Sequence, residues 1–103
     1  MQPTDKSLEN EIDPVIHSPA RLKILAVLAA VETADFLFIL RQTGLTRGNL
    51  SSHMSKLEAA GYIHIEKQFV KKIPRTLLQL TEEGRTALNQ YRQQMTQMLN
   101  QLK

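Results

Sequence analysis

A polar helix followed directly by a hairpin pattern is the feature that most constrains how this chain folds. The predicted helix begins after Gly44, where Thr46 is placed to cap the free amides of the first turn. It ends at Gly61, since a glycine just past the last turn commonly stops a helix. Apolar residues recur at helical spacing and predict the buried face, which contains Leu50, Met54 and Leu57.

The opposite face of this helix carries the residue types that read DNA. The major groove admits one helix, and arginine, asparagine and serine side chains donate to or accept from guanine, adenine and phosphate. We expect the reading residues to be Thr46, Arg47, Gly48, Asn49, Ser51, Ser52, Ser55 and Lys56. A polar face is also the ordinary surface of any solvated helix, so this face alone leaves both interpretations open.

Two β-leaning runs follow the helix, at residues 62–70 and 76–80, and enclose a basic segment. Because Pro74 lacks a backbone donor and has a fixed φ, we expect residues 71–75 to form a loop rather than a strand. Its cations would form a projecting tip that contacts phosphates or the neighbouring groove. These are Lys71, Lys72 and Arg75. Solvated loops are often charged as well, but a position directly after a reading helix favours contact with DNA.

Positive charge is concentrated in the same part of the chain. The formal net charge of +3 is modest for a nucleic-acid-binding protein. Residues 1–20 contain one lysine and four acidic residues, whereas residues 47–75 contain six lysines and arginines against two acidic residues. The basic segment therefore coincides with the segment predicted to bind DNA.

Two further helices are predicted before the polar one. Ser18 and Pro19 are typical of an N-cap and a first helical position, and they open a helix that extends to about Val31. Its predicted core residues are Leu22, Leu25, Ala26 and Leu28. Asp35 is placed to cap a second helix, which buries Phe36, Ile39 and Leu40 and ends at the turn of Thr43 and Gly44. The order is helix, turn and reading helix.

A long helix is predicted from about Thr81 to near Lys103, with Glu82 and Glu83 at the positive end of its dipole. Its apolar residues recur at spacings of three and four, which is a heptad pattern. Covering the chain's own core is one use of such a helix, but its length exceeds what a small core needs, so we expect a second copy of the chain to cover the rest. The predicted homodimer interface consists of Leu8, Ile12, Leu88, Tyr91, Met95, Met98 and Leu102.

Several short segments, taken in order, resemble the small winged-helix transcriptional regulators of the multiple-antibiotic-resistance (MarR) and arsenic-repressor (ArsR) types. They are residues 48–53, 56–62, Phe69, 74–76 and 80–85. The resemblance implies a recognition helix at residues 46–60, a wing at residues 71–75 and a homodimer on near-palindromic operators. Many relatives have a basic residue where Ser52 stands, so we expect the wing to supply more of the affinity than the helix.

The expected fold is therefore mainly α with a small β-hairpin, a winged helix-turn-helix with a long C-terminal dimerisation helix. We expect a single domain over residues 1–103, with an N-terminal arm at 1–17, a winged-helix core at 18–80 and a dimerisation helix at 81–103. Although 42% of the residues are hydrophobic, no apolar run approaches a membrane span and the N-terminus does not resemble a signal peptide. We expect a cytoplasmic protein.

Catalysis and cofactor binding are poorly supported. No cluster of nucleophile, histidine and acid and no paired carboxylates suggest an active site, so we expect no enzyme and no catalytic residues. The chain has no cysteine, and its histidines lack metal-ligand spacing. We therefore expect no metal and no cofactor.

The function that these patterns favour is a sequence-specific regulator of transcription, a repressor by resemblance, that binds double-stranded DNA as a homodimer on an inverted repeat. The sequence itself does not distinguish repression from activation. Two alternatives stay open, a winged helix that docks a protein partner and a nonspecific architectural DNA-binding protein. A small-molecule effector is a further candidate partner, with Tyr91, Met95 and Phe36 as its candidate lining residues.

Overall fold

Residues 12–102, the part of the chain described by a computed structural model, form four helices and a three-stranded antiparallel sheet. The predicted fold class is confirmed, including the long C-terminal helix. In chain order the elements are α1 (Pro19–Val31), β1 (Thr33–Asp35), α2 (Phe36–Thr43), α3 (Arg47–Ala59), β2 (Ile63–Val70), β3 (Ile73–Leu80) and α4 (Glu82–Asn100).

Each helix start is fixed by a side chain that accepts a backbone N–H of the first turn, as predicted for α1, α2 and α3. The side chains of Ser18, Asp35, Thr46 and Thr81 cap α1, α2, α3 and α4 in turn. Gly61 ends α3 with a left-handed φ of 82°, where the N–H groups of residues 61 and 62 donate to the carbonyls of Glu58 and Leu57. Because these caps set both ends of α3, the reading helix begins and ends where the sequence predicts.

Strand β1 is a part of the fold that the sequence prediction missed. It pairs with β3 from Thr33↔Gln79 to Asp35↔Leu77, and β2 pairs with the other edge of β3 along its whole length. The strand order is therefore β1-β3-β2, with β3 in the centre. Since β1 covers only residues 77–79 of β3, the distal half of the β2–β3 hairpin extends from the sheet as a two-stranded arm.

The prediction of a five-residue loop at the wing is wrong. Only Lys71 and Lys72 form the turn, and Ile73, Pro74 and Arg75 belong to β3. Both turn residues have positive φ, 53° and 67°, the backbone of the two-residue turn that best matches strand twist. Cross-strand pairs of an antiparallel hairpin alternate between hydrogen-bonded and non-hydrogen-bonded. Val70 and Ile73 form the hydrogen-bonded pair that closes the turn, so the next pair, Phe69 with Pro74, is non-hydrogen-bonded. Because Pro74 would not donate to β2 at this position, β3 loses no hydrogen bond to β2. A proline at such a position does not end the strand.

One apolar core joins the helices to the inner face of the sheet. Its fully buried side chains are Ile16, Ile24, Leu25, Leu28, Ile39, Leu50, Leu57 and Leu78. Leu25, Leu28, Ile39, Leu50, Met54 and Leu57 were predicted to be buried and are, whereas Ala26 was predicted to be buried and is exposed. The prediction omitted Ile24.

Helix α4 starts against the backbone that leads into β2. A Cβ built on Gly84 would lie 2.1 Å from the carbonyl oxygen of Tyr62 and 2.9 Å from Cδ1 of Leu80. The absence of a side chain at Gly84 is therefore what allows α4 to pack this closely. At the other end α4 stops at Asn100, so Leu102, predicted as part of the helical seam, lies beyond the helix.

The segment before α1 is held down by three side-chain contacts. Tyr62 donates a hydrogen bond to Asp13, His17 Nδ1 lies 2.9 Å from the Tyr91 hydroxyl, and an Arg21 Nη donates to the Val15 carbonyl. The bond to Asp13, followed by burial, raises the pKa of Tyr62 to about 12. Residues 12–18 thereby connect the base of the hairpin to α4.

Among the described residues, none of the helices is both long and apolar enough to span a membrane.

Candidate nucleic-acid interface

Helix α3 has a buried face and an open face, as the sequence predicts. Leu50 and Leu57 are completely buried and Met54 nearly so. All eight predicted reading positions are exposed, from the N-cap Thr46 through Arg47, Gly48, Asn49, Ser51, Ser52, Ser55 and Lys56. The Thr46 hydroxyl accepts the N–H of Asn49 at 3.1 Å, so it has a structural role in the helix start. The polar face thus faces solvent along its whole length.

The hairpin continues this open surface. Side chains of β2 at odd positions and of β3 at even positions share one face of the arm, because successive side chains alternate between faces. Near the core this face buries Ile63 and Leu78. Farther out it lines, with α3, a groove of about 440 Å³ that includes Ser51, Ser55, Glu58, Ile65, Lys67 and Thr76. DNA against α3 would therefore also meet this face of the arm.

The predicted wing cations have different surroundings. Lys71 and Lys72 are exposed at the turn, at the far end of the arm. Arg75 is exposed by 46% but its Nη2 pairs with Asp35 Oδ2 at 2.7 Å. Asp35 also caps α2, and its bond from the Phe38 N–H, followed by the pair with Arg75, lowers the pKa of the Asp35 carboxyl. Arg75 therefore ties the arm to α2, while the two lysines are the cations at the tip.

Helix α3 is also fixed from behind by a polar contact with α1. Arg21 Nε donates to His53 Nδ1 at 3.1 Å, and the same guanidinium donates to the Val15 carbonyl. His53 is half-buried between the two helices. Burial, together with the charges of Arg21 and Lys56, lowers the pKa of the His53 imidazole.

This contact predicts a stability that depends on His53 protonation. The folded chain has the lower pKa, so the unfolded chain binds the proton first when pH falls below the usual value of 6.5. The stabilising contribution is therefore present above that value and is lost on acidification. We expect the free energy of unfolding, measured in urea, to change less between about pH 8 and about pH 5 in His53→Gln than in wild type.

The matched control is His64→Gln, because His64 is an exposed residue of β2. This variant is expected to keep the wild-type pH dependence. Equal pH dependence in His53→Gln and wild type would show that His53 does not contribute to it.

Part of the predicted dimer interface lines one apolar groove. Between α1 and α4 lies a groove of about 580 Å³, lined chiefly by Leu22, Ala26, Ala29, Ala30, Leu88, Tyr91, Met95 and Leu99. Tyr91 is already buried within the chain, whereas Met98 and Leu102 are exposed outside this groove. Ile12 is half-buried, and Leu8 lies outside the described residues.

The candidate effector residues do not come together. Tyr91 and Met95 line the groove between α1 and α4, but Phe36 lines the groove between α3 and the sheet. The sequence gave no indication of this separation, since helical spacing predicts that Phe36 is buried but not which other residues lie beside it. Phe36 therefore has no place in a site with the other two.

Three residues at this interface were missed. Lys67 and Phe69 follow Ile63 and Ile65 at every second position, so the same alternation that predicted β2 places them on the face beside α3. No local sequence pattern predicts the role of Arg21, because its contact with His53 joins residues 32 positions apart.

No three histidine, cysteine or acidic side chains within residues 12–102 are grouped so that they could hold a metal ion.

An exposed polar helix beside a basic hairpin defines a winged-helix DNA-binding protein. The sequence profile of the winged helix DNA-binding domain matches residues 20–99, and the chain belongs to this family. An uncharacterized protein of Methanocaldococcus jannaschii is 33% identical over 84 residues, which are 82% of this chain and 91% of that protein.

Solved structures agree with this assignment. A transcriptional regulator homologue from Pyrococcus horikoshii OT3 superposes with a TM-score of 0.86 at 26% identity, covering 95% of this chain and 98% of that chain. NadR in complex with 4-hydroxyphenylacetate has a TM-score of 0.68 at 22% identity, over 94% of this chain and 71% of NadR. MarR-family and ArsR-family regulators also share the fold, each with a TM-score of 0.61. The predicted resemblance to these two types of regulator is confirmed at the level of the fold.

Proposed function

We propose that this protein is a sequence-specific transcriptional regulator that reads DNA with α3 and holds the backbone with its wing. The observation that carries the proposal is the open face of α3, where Arg47, Asn49, Ser52 and Ser55 are exposed while the opposite face is locked into the core. A rigid helix with short polar side chains approaches base edges closely, and Lys71 and Lys72 add phosphate contacts. Family membership supports DNA as the partner.

We further propose that the functional unit is a homodimer joined through the groove between α1 and α4. The apolar lining of the groove and Leu99, which is 57% exposed, favour burial against a second copy. A two-fold axis through this contact requires an inverted repeat, with half-sites about 34 Å apart on one side of the duplex. A dimer bound at a promoter would block access to it, which favours repression over activation.

A small molecule is a further candidate partner of the same region. NadR, which shares the fold, was solved as a complex with 4-hydroxyphenylacetate. In this chain an apolar effector would fit best beside Tyr91 and Met95, because these residues share the groove.

The test is selection of bound sequences from random duplex DNA, with the purified protein, at two salt concentrations. The proposal expects an inverted repeat whose binding persists at the higher salt. Salt-sensitive binding without a motif would instead support an architectural role. Absence of binding at both salt concentrations would direct attention to the alternative of a protein partner.

The helix and the wing are expected to contribute differently. Changing Lys71 and Lys72 to asparagine keeps a residue type that tolerates positive φ but removes the charge. We expect this variant to weaken binding to all DNA and to reduce the slope of log K against log salt by about one for each lost phosphate contact.

Asn49→Ala and Ser52→Ala are the contrasting variants. Each should relax sequence preference by about 1–3 kcal/mol at one base pair, with the salt slope unchanged. Binding constants on the selected operator and on a scrambled duplex measure both effects. Equal losses on the two duplexes would argue against base contacts by α3, and an unchanged slope in the lysine variant would remove the tip from the interface.

A further inference from the structure

Apolar side chains are clustered at the end of the wing, beside the lysines. Phe69 is 75% exposed, Ile73 is 63% exposed and Val70 is 41% exposed, and Pro74 is exposed as well. Phe69 and Pro74 lie on one face of the arm, and Val70 and Ile73 lie on the other. Single exposed apolar residues are ordinary in soluble proteins, but these four flank one turn and include an aromatic ring. Neither the fold nor phosphate binding by the lysines accounts for them.

Phe69 lies on the face of the arm that turns toward α3. Phe69 and Pro74 are cross-strand partners, two pairs farther out along the ladder than Lys67 and Thr76, which line the groove beside α3. Pro74 also lines a depression that contains Arg47, at the first turn of α3. DNA bound along the open face of α3 would therefore meet the Phe69 side chain next, where the wing leaves the helix.

The charges around Phe69 favour DNA over a protein or a second copy as the occupant of this tip. Lys67 precedes it on the same face, and Lys71 and Lys72 follow it at the turn. Glu66 is the nearest acidic residue along the strand, but it lies on the opposite face and accepts a hydrogen bond from Gln68. An aromatic ring with lysines before and after it along the arm is complementary to the stacked bases and phosphates of a groove.

We propose that Phe69, supported by Pro74, is a wedge that enters the minor groove beside each half-site, partly unstacks a base step and bends the DNA. The inference rests on the proposed function and deepens it. Among base steps, pyrimidine–purine steps unstack most easily, so a wedge would favour them. Phe69 would thus add sequence preference at a position that α3 does not touch. Apolar wedges of this kind bend duplexes by about 20–90°.

The experiment repeats the selection from random duplex DNA with wild type, Phe69→Ala and Phe69→Leu. Wild type is expected to select a pyrimidine–purine step at a fixed distance outside each half-site and to bend the selected duplex in a circular-permutation assay. Phe69→Ala should keep the half-site, lose the step and the bend, and bind about tenfold more weakly with an unchanged salt slope. Phe69→Leu should retain the step, because leucine is still an apolar wedge.

A base analogue reports the unstacking itself. With 2-aminopurine in the selected step, fluorescence should rise on binding of wild type and Phe69→Leu, and stay low with Phe69→Ala. The variant with Lys71 and Lys72 changed to asparagine is the matched control, since it should bind DNA more weakly yet still select the pyrimidine–purine step. Phe69 is exposed, so thermal unfolding of Phe69→Ala should match wild type.

The outcomes separate this proposal from the proposed function. An inverted repeat selected equally by wild type and Phe69→Ala, on unbent DNA, overturns the wedge and leaves the regulator intact. A loss of self-association in Phe69→Ala with unchanged DNA binding also overturns it, in favour of a second copy as the occupant. If wild type selects no DNA at all, both proposals fail.

Discussion

Placing glutamate at both Ala26 and Leu99 is expected to separate the dimer and to weaken operator binding by at least about 100-fold. Both residues line the groove between α1 and α4 and are exposed in the single chain, so their replacement should leave the monomer folded. A dimer with a dissociation constant near 10⁻⁸ M binds with about −11 kcal/mol, and a monomer on one half-site retains roughly half of that. Like charges brought together across the two-fold axis would oppose association.

Sedimentation and titration of the selected duplex measure the two effects together. Gln97→Glu is the control, because it adds one carboxylate near Leu99 but outside the groove. It should remain dimeric and bind normally. A double glutamate variant that stays dimeric would place the interface elsewhere, and a monomer that binds the full operator as tightly as wild type would remove dimerisation from the mechanism.

Gly84→Ala is expected to lower the free energy of unfolding by about 3 kcal/mol, although alanine is the better helix former. The added Cβ would meet the Tyr62 carbonyl oxygen at 2.1 Å, and a backbone oxygen at the start of β2 has little freedom to move. Either α4 or the Gly61–Tyr62 connection must shift. Urea unfolding at one fixed protein concentration measures the change, since stability of a dimer depends on concentration.

Gly48→Ala is a close control for this change. Gly48 also lies in the first turn of a helix, but an added Cβ there meets nothing within 4 Å. This variant should be unchanged or more stable by up to about 1 kcal/mol, because alanine loses less backbone entropy on folding. If Gly84→Ala were stabilised to the same extent as Gly48→Ala, the close approach of α4 to Tyr62 would be refuted.

Local patterns were sufficient to predict most of the fold. The starts of α1, α2 and α3 followed from capping residues, and Gly61 ended α3 as expected, because these signals act within one turn of the chain. The buried and open faces of α3 followed from helical periodicity. The candidate reading surface was therefore accessible from the sequence.

The errors concern features that depend on distant partners or on pairing. Strand β1 has three residues and is defined by its bonds to β3, so its own sequence carries little signal. The extent of the wing depended on which pairs of β2 and β3 are hydrogen-bonded, a register that composition does not give. The pairing of Arg75 with Asp35 joins residues 40 positions apart, which is why Arg75 was placed at the tip.

Pro74 has a consequence for how crowded copies of this protein behave. Within residues 12–102, the distal part of β3 pairs with no strand on its β1 side. Such a strand edge is a template on which another chain can add a strand and start aggregation. Because Pro74 takes a non-bonded position opposite Phe69, its nitrogen faces that open edge and offers no donor. The arm can therefore carry exposed apolar side chains while its proline discourages strand addition, which protects against fibre formation at high protein concentration.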